Sequence, residues 1–344
     1  MSRQGQATIR DVARVAGVAP ATVSRVLNNS GYVNERTRAR VEEAIAKLGY
    51  VPNRLASSLR FKRTGTIGLV LSDVTNPFWT TVARGVEDVA SDHGFNVILC
   101  NTDESEEEQE RYINVLLQKQ VDGILLVPAR SAPGPVEQIQ NRGVAVVVLD
   151  RRVPNAQVDV VRCDSFGGAY RLVRLLLALG HRRIAALGGP EGVSTADDRI
   201  AGYRQALAEV GLGGSGELVF RSAFTQVGGY EMAQRALTVE QRPTAIFAAN
   251  NFIAIGALKA LRDSGVRVPE DMAVVTFDDL PEGLVVDPFL TAAAQPAYEM
   301  GRRATELLLA RLAGRGEPEP QDIVLPVEVI VRRSSGTALS RAGT

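Results

Sequence analysis

TIRDVARVAGVAPATVSRVLN, residues Thr8 to Asn28, holds two short amphipathic patterns separated by a single glycine. In the first, Ile9, Val12, Ala13 and Ala16 recur at helical spacing and share one face. Thr8 followed by Asp11 predicts a capping box in front of them, and Gly17 predicts the stop behind them. In the second pattern Pro20 suits the first helical position, where its missing N–H leaves no hydrogen bond unmade. Val23, Val26 and Leu27 then supply the buried stripe. A third helix is expected next, with Asn34 as its cap, Glu35 in its first turn, Val41, Ala44, Ile45 and Leu48 facing inward, and Gly49 as its end. Two short helices joined by a glycine turn and backed by a third are the arrangement of a helix-turn-helix.

With Val23, Val26 and Leu27 turned to the core, Pro20, Ala21, Thr22, Ser24, Arg25 and Asn28 are left for the outer face. Arg25 is the expected base reader, because a guanidinium forks across guanine O6 and N7 for about 1–3 kcal/mol of discrimination. Thr22, Ser24 and Asn28 have the short polar side chains that reach phosphate oxygens. Charge points the same way. The chain has 39 basic and 39 acidic residues, yet residues 1–63 carry 12 Lys and Arg against 4 Asp and Glu, so a head of net +8 precedes a body of net −8. A basic module joined to an acidic one is the electrostatic footprint of a nucleic-acid-binding head; its bland rival is a merely solvated basic face.

The remaining chain is long enough for two further domains: 344 residues in all, 45% hydrophobic and 5% aromatic. No apolar run approaches the roughly 20 residues of a membrane span, and the N-terminus lacks the apolar core of a secretory signal, so a cytoplasmic protein is expected. Cys100 and Cys163 are isolated at strand ends and read as buried thiols. From Thr66 onward the period changes. Apolar runs at 67–72, 95–101, 121–127, 144–150, 184–188, 244–250 and 272–278 alternate with helical patterns, which predicts two doubly wound parallel-sheet units.

In such sheets a ligand lies beyond the carboxyl ends of the strands. Those ends carry Asp73, Asn76, Asn101, Asp103, Asp150, Asn250 and Asp278, with Phe78 and Trp79 just after the first strand. Carboxylates and amides suit hydroxyl groups, and an aromatic face suits the apolar side of a sugar ring, so the set describes a polyol site. Asn76 and Asp278 could equally serve as caps. Enzyme chemistry finds no support: His93 and His181 sit at expected helix ends, no nucleophilic triad or metal spacing can be assembled, and GGPEG at Gly188 lacks the phosphate-loop pattern. Neither metal nor cofactor is expected.

The head motif, with VNERTR and LGYVPNRLASSL after it, resembles the lactose-repressor (LacI/GalR) family of bacterial transcription regulators. The likeness continues through IGLVLSDVTNPFW, VDGILLVP, LGHRRIA, RIAGY and PTAIFAANN, nearly the whole chain. One departure is Ala19, where the family usually has a serine able to cap the second helix for about 1 kcal/mol. The resemblance implies a head over 1–63, ending in a hinge helix at about 52–60, and an effector-binding and dimerisation body over 64–335. That body would comprise two subdomains of the periplasmic-binding-protein type I, with chain crossings near 163, 294 and 326. The small, polar composition of residues 336–344 reads as a disordered tail. Leu59 would wedge into the minor groove while Arg54, Arg60 and Lys62 meet phosphates, at a cost in base unstacking of a few kcal/mol. Thr8, Asn53 and Ala56 complete the implied DNA contacts. Arg199 in RIAGY and Asp278 in TFDD are the strongest implied effector contacts, followed by Phe78, Trp79 and Asn250. The expected protein is a homodimeric repressor of a near-palindromic operator, controlled by a sugar or related small molecule. Induction by a sugar and corepression by a purine-type ligand both remain open at this point, as does a sugar-binding protein with no DNA role.

Overall fold

The computed structural model describes residues 7–27, 30–50, 64–214, 217–280 and 287–337. They belong to two compact units, 1–64 and 65–344.

In the head, α1 (Ile9–Ala16), α2 (Pro20–Leu27) and α3 (Glu35–Leu48) form where the sequence places them. The capping box is present: Asp11 N–H donates to Thr8 Oγ1 at 3.3 Å, and Thr8 N–H donates to Asp11 Oδ2 at 3.0 Å. Gly17 ends α1 at φ 62°, a left-handed conformation that a β-carbon would penalise. Asn34 caps α3 by accepting from Thr37 N–H at 2.8 Å. No serine stands at Ala19, so only its backbone carbonyl meets the first turn of α2, accepting from Thr22 and Val23 N–H at 2.9 and 3.3 Å. Val12, Val23 and Val41, one from each helix, are fully buried and hold the three together.

Among the described residues the body contains two six-stranded sheets. The first is built from β1 (Thr66–Leu71), β2 (Asn96–Asn101), β3 (Gly123–Leu126), β4 (Ala145–Leu149), β5 (Asp159–Cys163) and β11 (Asp322–Leu325), in the order β11-β5-β4-β3-β1-β2, all parallel. The second contains β6 (Ile184–Gly188), β7 (Leu218–Arg221), β8 (Ala245–Ala248), β9 (Ala273–Phe277), β10 (Thr291–Ala294) and β12 (Glu328–Ile330), in the order β12-β10-β9-β8-β6-β7. Only β12 runs antiparallel, beside β10. The central strands β1, β3, β4, β6, β8 and β9 are near-continuous Val, Leu, Ile and Ala runs because helices cover both of their faces.

The chain enters the second sheet after Cys163, returns to the first after Ala294, and passes over again between Leu325 and Glu328. On the first sheet α4 (Pro77–Asp92) packs against α11 (Ala297–Leu312) so closely that a β-carbon on Gly85 would lie 2.2 Å from the Tyr298 carbonyl oxygen. Gly301 allows the reciprocal approach, its β-carbon position lying 2.1 Å from the Val82 carbonyl oxygen. The other helices that position the site are α5 (Glu106–Gln118), α7 (Ser165–Ala178), α8 (Ser194–Ala208), α9 (Gln226–Leu237) and α10 (Asn251–Asp263), with α6 (Gly134–Gln140) beside β4.

The structure adds strands to the expected set. β5 begins on Asp159 and carries Arg162, while β10 is Thr-Ala-Ala-Ala, so neither has the dense β-branched run that marks a buried strand. β7, β11 and β12 are three or four residues long, too short for an alternation to register. β2 differs from the buried-strand expectation as well: it lies at a sheet edge and leaves Ile98 and Leu99 exposed.

Candidate effector cleft and nucleic-acid interface

On α2, Val23 and Val26 are buried, whereas Pro20, Ala21 and Arg25 are exposed and Thr22 and Ser24 half-buried. Arg25 is thus on the outer face, and it forms no ion pair among the described residues. Thr8 is exposed, but its hydroxyl is engaged in the capping box, donating to Asp11 Oδ2 at 2.6 Å. Asn28, Asn53, Arg54, Ala56, Leu59, Arg60 and Lys62 lie outside the described residues.

In the body, the carboxyl ends of both sheets converge on one cavity of about 180 Å³. Asp73, Asn76, Phe78, Trp79, Asp103, Asp150, Arg199, Asn250 and Asp278 all line it. Asn101 does not; its amide accepts from Val74 N–H at 2.8 Å and donates to Asp103 Oδ1 at 2.7 Å, fixing the loops around the rim. Asp73 is half-buried and holds a local turn through Thr75, accepting from its N–H at 2.8 Å. Phe78 and Trp79 stand edge to face, ring centres 4.7 Å apart and planes at 73°, forming an apolar wall. Asn76 and Asn250 cap α4 and α10, accepting from Phe78 N–H at 3.1 Å and from Ile253 N–H at 2.8 Å, and line the cavity as well. For these residues the structural and site readings coexist.

Arg199 projects from α8 and is 3% exposed. Its guanidinium lies 3.8 Å from the centre of the Phe277 ring, donates to the Ala249 carbonyl at 2.7 Å, and stands 3.9 Å from Asp278 Oδ2. Asp278 accepts a further bond from the Gln295 side chain. Burial raises the Asp278 pKa, against the opposing pull of Arg199 and Gln295. Asp150 is pushed up to about 6, again chiefly by burial, with Arg199 and Arg151 opposing and the Asp278 and Glu104 charges adding to the rise.

Sequence reasoning passed over several lining residues: Ser72, Glu104, Arg151, Thr195, Phe224 and Gln295. Arg151 is 2% exposed and gripped by Glu104, at 2.7 and 2.5 Å, and by the Pro128 carbonyl at 2.7 Å. Its only sequence signal was adjacency to the strand-end Asp150. Thr195 sits one helical turn before Arg199, a spacing that could have marked it.

The histidines are structural. His93 Nδ1 lies 2.9 Å from the Val89 carbonyl and His181 Nδ1 2.9 Å from Thr244 Oγ1, and neither lines the cavity. Both cysteines are buried free thiols. No cluster of potential metal ligands occurs among the described residues, and no helix there is long and apolar enough to cross a membrane.

Residues 64–332 match the family described as periplasmic binding proteins and sugar-binding domain of the LacI family, and residues 8–53 match the bacterial regulatory proteins of the lacI family. The chain belongs to the LacI family. It is a DNA-binding transcriptional regulator with an effector-binding body, and not an enzyme. It is 38% identical to the ribose operon repressor of Halalkalibacterium halodurans, over 95% of this chain and 97% of that one. To the HTH-type transcriptional regulator DegA of Bacillus subtilis it is 36% identical, over 95% and 98%. Among solved structures, the lac repressor dimer bound to operator and the anti-inducer ONPF superposes with a TM-score of 0.84 at 27% identity, covering 96% of this chain and 99% of that one. A CelR–cellobiose complex gives 0.72 at 37% identity, covering 95% and 99%.

Proposed function

We propose that this LacI-family regulator works in the cytoplasm as a homodimer on a near-palindromic operator, and that its cleft takes one uncharged, polyhydroxylated effector the size of a single sugar ring. The observation that carries the effector reading is a set of buried polar atoms without partners. Ser72 Oγ, Asp150 Oδ1, Arg151 Nε, Arg199 Nε and Gln295 Oε1 all belong to residues lining the one cavity, whereas Ser165 Oγ, at the start of α7, is the other such atom among the described residues. Native proteins rarely leave such atoms unmatched, and hydroxyl groups, which both donate and accept, would match donors and acceptors alike. The cavity falls below the about 300–1,000 Å³ typical of drug-sized ligands. Five lining carboxylates, Asp73, Asp103, Glu104, Asp150 and Asp278, outnumber the two guanidinium groups of Arg151 and Arg199, which disfavours a phosphorylated or carboxylated ligand. The ribose operon repressor and the cellobiose complex among the relatives support a sugar.

The test is a thermal-shift screen of the purified chain against neutral monosaccharides, their phosphates and uronic acids, and purine bases, since a bound ligand raises apparent stability. A neutral sugar that stabilises the body and alters operator affinity supports the reading; a response to phosphorylated sugars or purines alone overturns it. Arg199→Ala should abolish the effector's influence on operator affinity, because a ligand shifts an equilibrium only through its different affinities for the two states. In the head, we assign base reading to Arg25. Arg25→Ala should weaken specific binding by about 1–3 kcal/mol and relax preference at one base pair per half-site; equal weakening on every sequence would mark a phosphate contact instead.

A further inference from the structure

Two sets of polar contacts bridge the subdomains on the rims of the cleft, and they differ in burial. On one rim Arg130 donates to the Glu191 carbonyl at 2.9 Å, Ser131 N–H to the Gly192 carbonyl at 3.2 Å, Ser194 N–H to Ser131 Oγ at 2.9 Å and Arg152 N–H to Ser194 Oγ at 2.8 Å, and the Arg152 guanidinium pairs with Asp198. Arg130 and Arg152 are exposed there and Ser131 and Ser194 half-buried, so water can replace these bonds as the rim parts. On the other rim Asn76, the cap of α4 in the first subdomain, meets Asn251, the first residue of α10 in the second. Asn76 Nδ2 donates to Asn251 Oδ1 at 2.9 Å, and Asn251 Nδ2 donates back to Asn76 Oδ1 at 3.1 Å. Asn251 is fully buried and Asn76 is 5% exposed.

We propose that Asn251 is a positioning residue that latches the closed cleft through this reciprocal amide pair. Asn76 Oδ1 receives both Asn251 Nδ2 and the Phe78 N–H, so the amide that holds the second subdomain also starts the helix carrying the Phe78–Trp79 wall. Asn250, immediately before Asn251, lines the cavity from the other side. Parting the subdomains breaks both amide bonds at once and wets two side chains that the closed form keeps dry. The latch therefore distinguishes the closed from the open cleft directly, and more strongly than the wetter rim does. The inference rests on the cleft being the effector site, but its test is read without effector and stands whatever the ligand proves to be.

The test uses spin labels at Glu107→Cys and Gln226→Cys, two exposed positions at the starts of α5 and α9, on opposite subdomains. Pulsed electron resonance on the full ligand-free chain reads the distance across the cleft. A single narrow distance is expected with Asn251 intact. Asn251→Leu removes both bonds and strands the Asn76 amide, raising the ratio of open to closed chains about tenfold or more, seen as a longer, broader distribution. Asn251→Asp keeps the shape and the helix start but sets a carboxylate oxygen against Asn76 Oδ1, which cannot turn away without losing the Phe78 N–H; it should open the cleft too and keeps the test alive if the leucine variant fails to fold. A residue that merely supports the fold would lower the melting temperature without moving the distance. Distributions superimposable on the parent for a folded variant, or a parent already broad, overturn the proposal.

Discussion

Asp150 and Asp278 occupy the same place in the two halves of the body and are treated differently there. Each follows the third strand of its sheet, β4 or β9, and each adopts a left-handed backbone, φ 65° and 64°. Each sends its N–H to the neighbouring strand, Asp150 to the Val161 carbonyl at 2.8 Å and Asp278 to the Ala293 carbonyl at 3.0 Å. Aspartate tolerates this conformation better than most residues. The side chains then diverge. Asp278 is held by Gln295 and pairs with Arg199, whereas Asp150 has one oxygen with no partner, pairs only with Arg151, itself gripped by Glu104, and feels the Arg199 charge without an ion-pair contact. Repetition of a fold thus gives two equivalent carboxylates, and their neighbours make one a fixed wall and the other a group waiting for a hydroxyl.

The largest expected effect tests the fixed side. Arg199→Ala leaves two buried carboxylates without their shared cation and should destabilise the body by about 3–5 kcal/mol at pH 8, measured by denaturant unfolding. A loss no greater than that of an exposed arginine would mean that Asp278 does not depend on Arg199.

The waiting side is read through pH. With a folded-state pKa of about 6 against an ordinary value of 3.8, Asp150 binds its proton more tightly in the folded chain. Its contribution is fully present below pH 3.8 and is lost as pH rises through 6, a change of at most about 3 kcal/mol. The raised Asp278 pKa acts in the same sense. Asp150→Asn should therefore flatten the decline in stability between pH 4 and 7 while weakening effector binding about tenfold. An unchanged pH profile in this variant would remove the contrast between the two aspartates.

The smallest effect lies in the head. Thr8→Ala removes the capping box of α1 and should lower head stability by about 1 kcal/mol, visible in unfolding of the isolated signal from the head. No change would show that the Gly17 turn, where the Arg40 guanidinium donates to the Ala16 and Gly17 carbonyls, defines α1 without the cap.

The sequence by itself determined the three described helices of the head: the caps and glycine stops of α1 and α3 and the buried apolar stripe of each helix depend on residues within four positions of one another, which is the range over which helix signals act. It also located the central strands and their polar ends, since a strand buried on both faces must be a dense apolar run. Tertiary structure decided what those ends meet. Glu104 grips Arg151 across 47 residues, Asn76 finds Asn251 across 175, and Gln295 reaches Asp278 from a separate chain crossing. The short strands β5, β10, β11 and β12 likewise exist through their neighbours, having too few apolar residues to declare themselves. The reason is physical: local hydrogen-bonding rules are written in adjacent residues, but the desolvation that makes a buried charge or amide informative arises only when distant segments exclude water together.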